Sequence, residues 1–171
     1  MLYVIKDNVL PDSEYMMLSS MLISEGAVPW FYSHTQTTNM PKDTSYFWHV
    51  LFDNHKVRSD LFDSFQPLLH TIGCESLINL RLNLTVARER GYSNIHCDEY
   101  SKSMNHKTAI FYIGTNNGKT ILKLPSGDLE VDSVDNRILI FDSNILHCAK
   151  HQTDEDIRIV ANINYFGEFP K

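Results

Sequence analysis

The stretch NIHCDEY occupies positions 94–100 and directly follows a β-rich part of the chain. His96 and Asp98 are two residues apart within it. In extended backbone, side chains at positions i and i+2 point to the same face. The imidazole and the carboxylate are therefore predicted to bind one metal ion together.

A second histidine that could complete this site is His147, far along the chain in another strand-like run. Two histidines and one carboxylate on one face of a metal, with the other positions open, form the facial triad of non-haem Fe(II) enzymes. The alternative is that His96 and Asp98 are solvated in a polar loop and that His147 is an ordinary core residue.

The composition is that of an ordinary folded protein, with 171 residues, 43% hydrophobic residues and a net charge of −6. A chain of this length buries a core without cross-links, and three irregularly spaced cysteines do not form a disulfide framework. The acidic balance argues against nucleic acid as a partner. There is no signal-peptide pattern and no apolar run of membrane-spanning length. We therefore expect a cytoplasmic protein, and the oligomeric state is left open.

Residues 1–75 predict a support of strands and helices. The predicted elements are a strand at 2–5, a helix from Pro11 to about Gly26, a strand at 30–32, a polar loop at 34–46, a strand at 47–52 and a helix at 59–72 that Pro67 kinks or splits.

From residue 77 the pattern changes to short strands at 77–86, 108–114, 119–124, 129–131, 137–141, 145–149 and 157–166. Asn116-Asn117-Gly118 predicts a hairpin turn that pairs the second of these strands with the third. About eight short strands after two helices predict a mainly β fold with supporting helices, a double-stranded β-helix or jelly roll. We expect one domain over 1–171, with the jelly-roll core at 76–171 and the polar segments 34–46 and 91–107 over its mouth.

The last predicted strand alternates clearly. Isoleucines and an alanine take one face, and Arg158, Val160, Asn162 and Asn164 take the other. An arginine inside a barrel needs an anion, because a buried unpaired guanidinium is very costly. The alternative is that this polar face lies in solvent.

In order along the chain, these pieces resemble the Fe(II)/2-oxoglutarate-dependent oxygenase superfamily, especially its small prolyl-hydroxylase-like members in bacteria and phages. The matching pieces are His96-Cys97-Asp98, the strand TAIFYI at 108–113, the turn at 116–118, the strand NRILIF at 136–141, then His147 and Arg158. The resemblance covers about residues 78–166, and the first 75 residues match only as a generic support.

The resemblance implies that His96, Asp98 and His147 ligate Fe(II) and carry the catalysis. It implies that Arg158 binds the distal carboxylate of 2-oxoglutarate, to which Tyr112 adds a hydroxyl. The implied reaction uses O2, releases succinate and CO2, and hydroxylates a peptidyl side chain, such as proline, or another C–H substrate in a peptide, protein or small molecule.

The sequence departs from the family pattern after the arginine, where many relatives carry serine and this chain has Val160. One contact to the co-substrate is therefore expected from elsewhere. Arg81, Asn83 and Tyr92 precede the metal motif, and strand parity leaves open which of them line the pocket. Cys97 and Cys148 are expected to point away from the metal as small core residues, and His151 to lie on the surface.

Two alternatives to the oxygenase remain. One is a cupin-like jelly-roll metal protein or enzyme that does not use 2-oxoglutarate, and the other is a barrel that acts only as an interaction module. Arg158 discriminates between the oxygenase and the cupin-like protein, because only the former needs it. Intact His96, Asp98 and His147 argue against the interaction module.

Overall fold

A computed structural model describes residues 2–33, 45–88, 91–93, 95–98 and 106–169. This part of the chain contains strands, two α-helices and one 3₁₀ segment. In chain order they are β1 Tyr3–Lys6, α1 Asp12–Ile23, β2 Phe31–Ser33, β3 Tyr46–Asp53, β4 Lys56–Val57, the 3₁₀ segment Asp60–Phe65, α2 Gln66–Thr71, β5 Ser76–Val86, β6 Lys107–Ile113, β7 Asn116–Leu124, β8 Gly127–Ser133, β9 Ile138–Asp142, β10 His147–Lys150 and β11 Ile157–Phe166.

The strands form two antiparallel sheets. The larger sheet has the order β1-β9-β6-β11-β5-β3-β2, with β4 beside β3, and the smaller has the order β10-β7-β8. Side chains from both sheets meet in one apolar cluster, which includes Tyr112, Leu122, Val131, Phe141 and Val160. Two facing sheets connected in this order form a double-stranded β-helix. The predicted fold class is confirmed.

The helices cover the outer face of the larger sheet. Leu18 and Leu22 of α1 and Leu68 of α2 are buried in the same core as Leu80 and Leu82 of β5. Because this face is covered by helices and the opposite face by the smaller sheet, both faces of the central strands are removed from water.

Strand β11 has the bounds predicted from the sequence. Ile159, Ala161 and Ile163 pack toward the helices. Arg158 and Asn162, on the other face, are also buried, with 4% and 6% of their surfaces exposed. The polar face of this strand therefore lies inside the barrel and not in solvent.

The predicted hairpin at 116–118 is wrong. Gly114 turns the chain with φ +87°, and residues 116–118 already belong to β7. Strand β6 pairs with β9 and β11, whereas β7 pairs with β8 and β10 in the other sheet. The Asn-Gly pattern forms a local contact inside an irregular strand start, where the Gly118 N–H donates to Asn116 Oδ1 at 3.0 Å.

The second predicted helix is split at the proline. The 3₁₀ segment precedes α2, and Pro67 lies in the first turn of α2. A missing N–H costs nothing there, because the first amides of a helix have no partner within the helix. Ser59 caps the 3₁₀ segment by accepting a hydrogen bond from the Leu61 N–H at 3.2 Å.

Most of the two polar segments expected over the mouth lies outside the described residues, namely residues 34–44, 94 and 99–105. Among the helices that are described, none has the length and apolar content needed to cross a bilayer.

Candidate metal centre and anion pocket

The structure brings His96, Asp98 and His147 together. Asp98 Oδ1 lies 4.0 Å from His96 Nε2 and 3.9 Å from His147 Nε2, and one ligand atom from each residue lies within 4.8 Å of the others. Two imidazole nitrogens and one carboxylate oxygen are the donors that Fe(II) accepts in a facial triad. These three residues could hold such an ion.

Backbone pairing joins the two histidines across the barrel mouth. The His96 N–H donates to the His147 carbonyl at 2.9 Å, and the His147 N–H donates to the His96 carbonyl at 2.8 Å. The two imidazole rings consequently lie side by side, with centroids 4.5 Å apart. The motif at 96–98 is thus attached to β10 by main-chain hydrogen bonds.

The ring of His147 is held in a tautomer that suits a metal ligand. Its Nδ1 lies 3.1 Å from the Ile145 carbonyl and donates a proton to it, which leaves a lone pair on Nε2. Burial lowers the pKa of His147, partly opposed by Asp98. The neutral imidazole that metal binding requires is therefore the form present at neutral pH.

The carboxylate of Asp98 is oriented by Thr108 on β6. The Thr108 hydroxyl donates to Asp98 Oδ2 at 2.9 Å, which leaves Oδ1 toward the two histidines. Thr108 Oγ1 also lies 3.0 Å from the side-chain amide of Asn164, which in turn contacts His106 Nε2 at 3.3 Å. Thr108 belongs to the TAIFYI strand motif at 108–113, but nothing in the sequence indicates that it orients Asp98.

Replacing Thr108 with valine is expected to lower the affinity for Fe(II) by about 10- to 100-fold, the usual cost of removing a group that orients a ligand. Valine keeps the shape but cannot hold the carboxylate. Anaerobic calorimetry measures the affinity, and Thr71→Val, on the exposed side of α2, is the control. An unchanged affinity in Thr108→Val would show that Asp98 is oriented without it.

Arg158 lies buried at the other end of the cavity. Its Nε donates to Ser133 Oγ and its Nη2 to Thr120 Oγ1, both at 3.3 Å. No carboxylate forms an ion pair with it in the described part of the chain, and burial lowers the pKa of the guanidinium. A buried cation with only neutral partners is suited to bind an anion.

Thr120 of β7 offers the contact that Val160 lacks. Its Oγ1 accepts from Arg158 Nη2 and also from the Tyr112 hydroxyl, at 2.8 Å. A hydroxyl has two acceptor positions and one donor, so the Thr120 proton remains for an incoming carboxylate. Tyr112 thus bonds to Thr120, and its ring centroid lies 5.6 Å from Arg158 Cζ. Sequence reasoning missed Thr120 and Ser133 because both lie in the second sheet, remote from the motifs.

Gly118 leaves room for the arginine. A Cβ at this position would lie 2.9 Å from Arg158 Cδ and 2.7 Å from Asn116 Oδ1, which is closer than real Cβ atoms approach. Gly118, which was predicted to lie in a hairpin turn, therefore instead leaves space for the Arg158 side chain.

Gly118→Ala is expected to weaken 2-oxoglutarate binding by about tenfold or more, because a displacement of Arg158 by several tenths of an ångström disrupts a paired contact. A spectroscopic titration measures the affinity. Gly26→Ala is the matched control, since its φ of +74° makes alanine strained but no atom lies within 4 Å of the new Cβ. It should lower stability without changing the affinity. Equal affinity in both variants would contradict the steric argument.

A cavity lies between the two histidines of the triad and Arg158. Arg81 and Asn83 of β5 line it together with Asn162. Tyr92 does not belong to this lining and is 55% exposed. Of the three residues that the strand pattern left open, Arg81 and Asn83 therefore line the cavity and Tyr92 does not.

The cysteines that follow the two histidines differ in environment. Cys97 Sγ donates to the Asn144 carbonyl at 3.2 Å, and Cys148 is buried. Burial raises the pKa of Cys148, so its thiol is protonated at neutral pH.

The expectation of a surface position for His151 is wrong. The side chain is buried beside Gly91, and neither ring nitrogen has a hydrogen-bond partner among the described residues. Burial, followed by the charges of Arg88 and Arg158, lowers the pKa of His151 to about 4.

His151 is expected to make the protein less stable in mild acid. His151 takes up a proton near pH 6.5 in the unfolded chain but only near pH 4 in the folded chain. The free energy of unfolding is therefore unaffected by this group above pH 6.5 and falls as the pH drops below 6.5. His151→Phe should flatten the dependence of unfolding free energy on pH between 6.5 and 5, by up to about 1.4 kcal/mol per pH unit. Urea unfolding at several pH values measures it, and parallel curves for both proteins would refute it.

Neither a protein-family model nor a curated protein sequence matches the chain. Solved structures do match. An oxidoreductase of the 2-oxoglutarate-Fe(II) oxygenase family from Burkholderia pseudomallei superposes with a TM-score of 0.70 at 7% identity, over 99% of this chain and 88% of that one. A prolyl-4-hydroxylase from Pseudomonas putida gives 0.66 at 13% identity, over 97% and 92%.

A third similar structure is HygX from Streptomyces hygroscopicus with nickel and 2-oxoglutarate bound, with a TM-score of 0.64 at 10% identity, over 98% of this chain and 83% of that one. The chain has the fold of the 2-oxoglutarate-Fe(II) oxygenases. The resemblance seen in the motifs is confirmed at the level of the fold.

Proposed function

We propose that the protein is an Fe(II)- and 2-oxoglutarate-dependent dioxygenase that hydroxylates a C–H bond of its substrate. One observation carries the proposal. His96 and His147 of the candidate metal cluster line the same cavity as Arg158, which is buried and has no carboxylate partner among the described residues. A metal site alone suits any jelly-roll metal protein, but a buried guanidinium at the far end of its cavity suits a ligand that carries a second carboxylate.

In this proposal His96, Asp98 and His147 hold the iron and Arg158 binds the distal carboxylate of 2-oxoglutarate as a charge-assisted pair. Thr120 donates its free proton to that carboxylate, and Tyr112 holds Thr120 in place. Iron, 2-oxoglutarate and O2 together supply the oxidation, with succinate and CO2 as products. The chain orients these groups and excludes water from the space between the two sheets.

The substrate class is proposed from the similar structures. One of them is a prolyl-4-hydroxylase, which favours a peptidyl substrate, with proline as the first residue to test. A cupin-like protein that does not use 2-oxoglutarate is the second candidate, favoured by the same triad if Arg158 proves dispensable.

The test is a visible spectrum of the protein after anaerobic addition of Fe(II) and then of 2-oxoglutarate. A weak absorption band that develops only with both is expected, because a keto acid bound through the open metal positions gives a charge-transfer transition. Admission of O2 should then release succinate. Bound iron without this band would reject the oxygenase and leave the cupin-like protein.

A further inference from the structure

Arg81 is a second arginine on the wall of the same cavity. In the pairing of β5 with β11, Arg81 lies opposite Asn162, whereas Thr85 lies opposite Arg158. Arg81 therefore shares the barrel-facing side of β5 with Asn83 and Thr85, and all three line the cavity. The cavity thus has one arginine near the end of this strand pair, Arg158, and a second near its middle, Arg81.

The described residues do not fully satisfy the guanidinium of Arg81. Its Nε is buried and has no hydrogen-bond partner among the described residues, and no ion pair to it is found there. Its Cζ lies over the ring of Tyr46, 6.0 Å from the ring centroid, in a cation–π contact. By comparison, Arg137 on the surface forms two hydrogen bonds with the carboxylate of Asp7. An arginine that faces a cavity without a partner is available for an anionic ligand.

Two amides beside Arg81 could complete the site. Asn83 Oδ1 is buried without a partner in the described structure, so its amide is free to turn and present its nitrogen. Asn162 Oδ1 accepts from Asn164 Nδ2 at 3.3 Å, which leaves the Asn162 amide protons unused. A guanidinium flanked by amide donors matches a carboxylate.

The position of Arg81 separates it from the co-substrate. Four residues of extended strand, from Arg81 to Thr85, span about 13 Å. The carbon chain of 2-oxoglutarate contains four bonds of about 1.5 Å each, which is shorter than this backbone separation. Arg81 is therefore placed to bind a second anion while Arg158 binds 2-oxoglutarate.

The formal charges around the cavity also favour the binding of a second anion. With a divalent metal, Asp98 and the two arginines, the site has an excess of three positive charges, and the two carboxylates of 2-oxoglutarate remove two of them. One positive charge remains for the substrate.

We propose that Arg81, with Asn83 and Asn162, binds a carboxylate of the primary substrate, and that the enzyme acts on a monoanionic carboxylate compound or on the C-terminal residue of a peptide. This inference rests on the proposed function for the identity of the reaction. The anion site itself does not depend on it.

The test follows the arginine side-chain N–H signals by ¹⁵N NMR in protein loaded with Zn(II), which has no unpaired electrons. Arg81→Met and Arg158→Met assign the two signals. Adding 2-oxoglutarate should shift the Arg158 signal and leave that of Arg81 in place. Adding acetate should then shift the Arg81 signal, and acetamide should bind about tenfold or more weakly. Sodium chloride at equal ionic strength controls for screening.

The outcomes separate the sources of the anion. If 2-oxoglutarate shifts the Arg81 signal and acetate then does not, Arg81 binds the co-substrate and the proposal is overturned. If neither acid shifts it, Arg81 binds no carboxylate and the proposal is overturned as well. If acetate shifts it but 2-oxoglutarate leaves Arg158 unaffected, the anion site stands and the dioxygenase assignment fails.

A second readout does not depend on signal assignment. Acetate should raise the melting temperature of the loaded wild type, of Arg81→Lys and of Arg58→Met, because a ligand that binds only the folded state stabilises it. Arg58 is an exposed arginine away from the barrel cavity and is the matched control. Arg81→Met should show no such rise; a rise equal to that of the wild type would place the acetate elsewhere.

Discussion

His96→Ala is expected to abolish tight Fe(II) binding. The substitution removes one of three ligand atoms from a cluster with two remaining partners, so the affinity should fall by more than the roughly 10- to 100-fold that loss of an outer partner costs. The visible band with 2-oxoglutarate should vanish with it. The fold should persist, because His96 pairs with His147 through backbone hydrogen bonds that alanine keeps and its side chain is only partly buried, with 29% of its surface exposed.

Anaerobic calorimetry with Fe(II) and the spectrum after 2-oxoglutarate measure this result. His70→Ala, an exposed histidine on α2, is the matched control and should behave as wild type. Retention of stoichiometric iron and of the band in His96→Ala would mean that the iron is bound elsewhere, and the triad assignment would be withdrawn.

Arg158→Met is expected to change stability and binding in opposite directions. In the ligand-free protein the guanidinium is buried against neutral groups only, so a methionine of similar length removes a desolvated charge. The free energy of unfolding should therefore stay equal or rise, by about 1–3 kcal/mol. The affinity for 2-oxoglutarate should fall by about 100- to 1000-fold, since two charge-assisted hydrogen bonds to a carboxylate are lost.

Urea unfolding of the metal-free protein and a titration of the visible band measure the two effects. Fe(II) affinity is the internal control and should be unchanged, because Arg158 does not belong to the triad. A variant that binds 2-oxoglutarate normally would favour the cupin-like protein. A variant that loses iron and stability together would show a structural role for Arg158 and leave its anion contact undemonstrated.

The local sequence pattern predicted correctly those features of the helices and strands that depend on residues close together in the chain. The alternation in β11 predicted the bounds of that strand, and Pro67 predicted the break before α2, because both depend on residues close in sequence. The Asn-Gly pattern at 116–118 misled for the same reason. A turn motif indicates a bend, but whether the next strand returns to its neighbour or crosses to a second sheet depends on contacts distant in sequence.

The sequence by itself determined the candidate site residues and the mainly β fold. The candidate residues are the His-x-Asp motif, a distant histidine and an arginine on the polar face of a strand. Only the tertiary structure decided that β10 lies beside the metal motif, that Thr108 orients Asp98, and that Thr120 and Ser133 reach Arg158 from the second sheet. It also decided that Arg81 faces the cavity. The physical reason is that a strand's parity defines two faces but does not say which is inside, and that choice is made when helices cover one face and the second sheet covers the other.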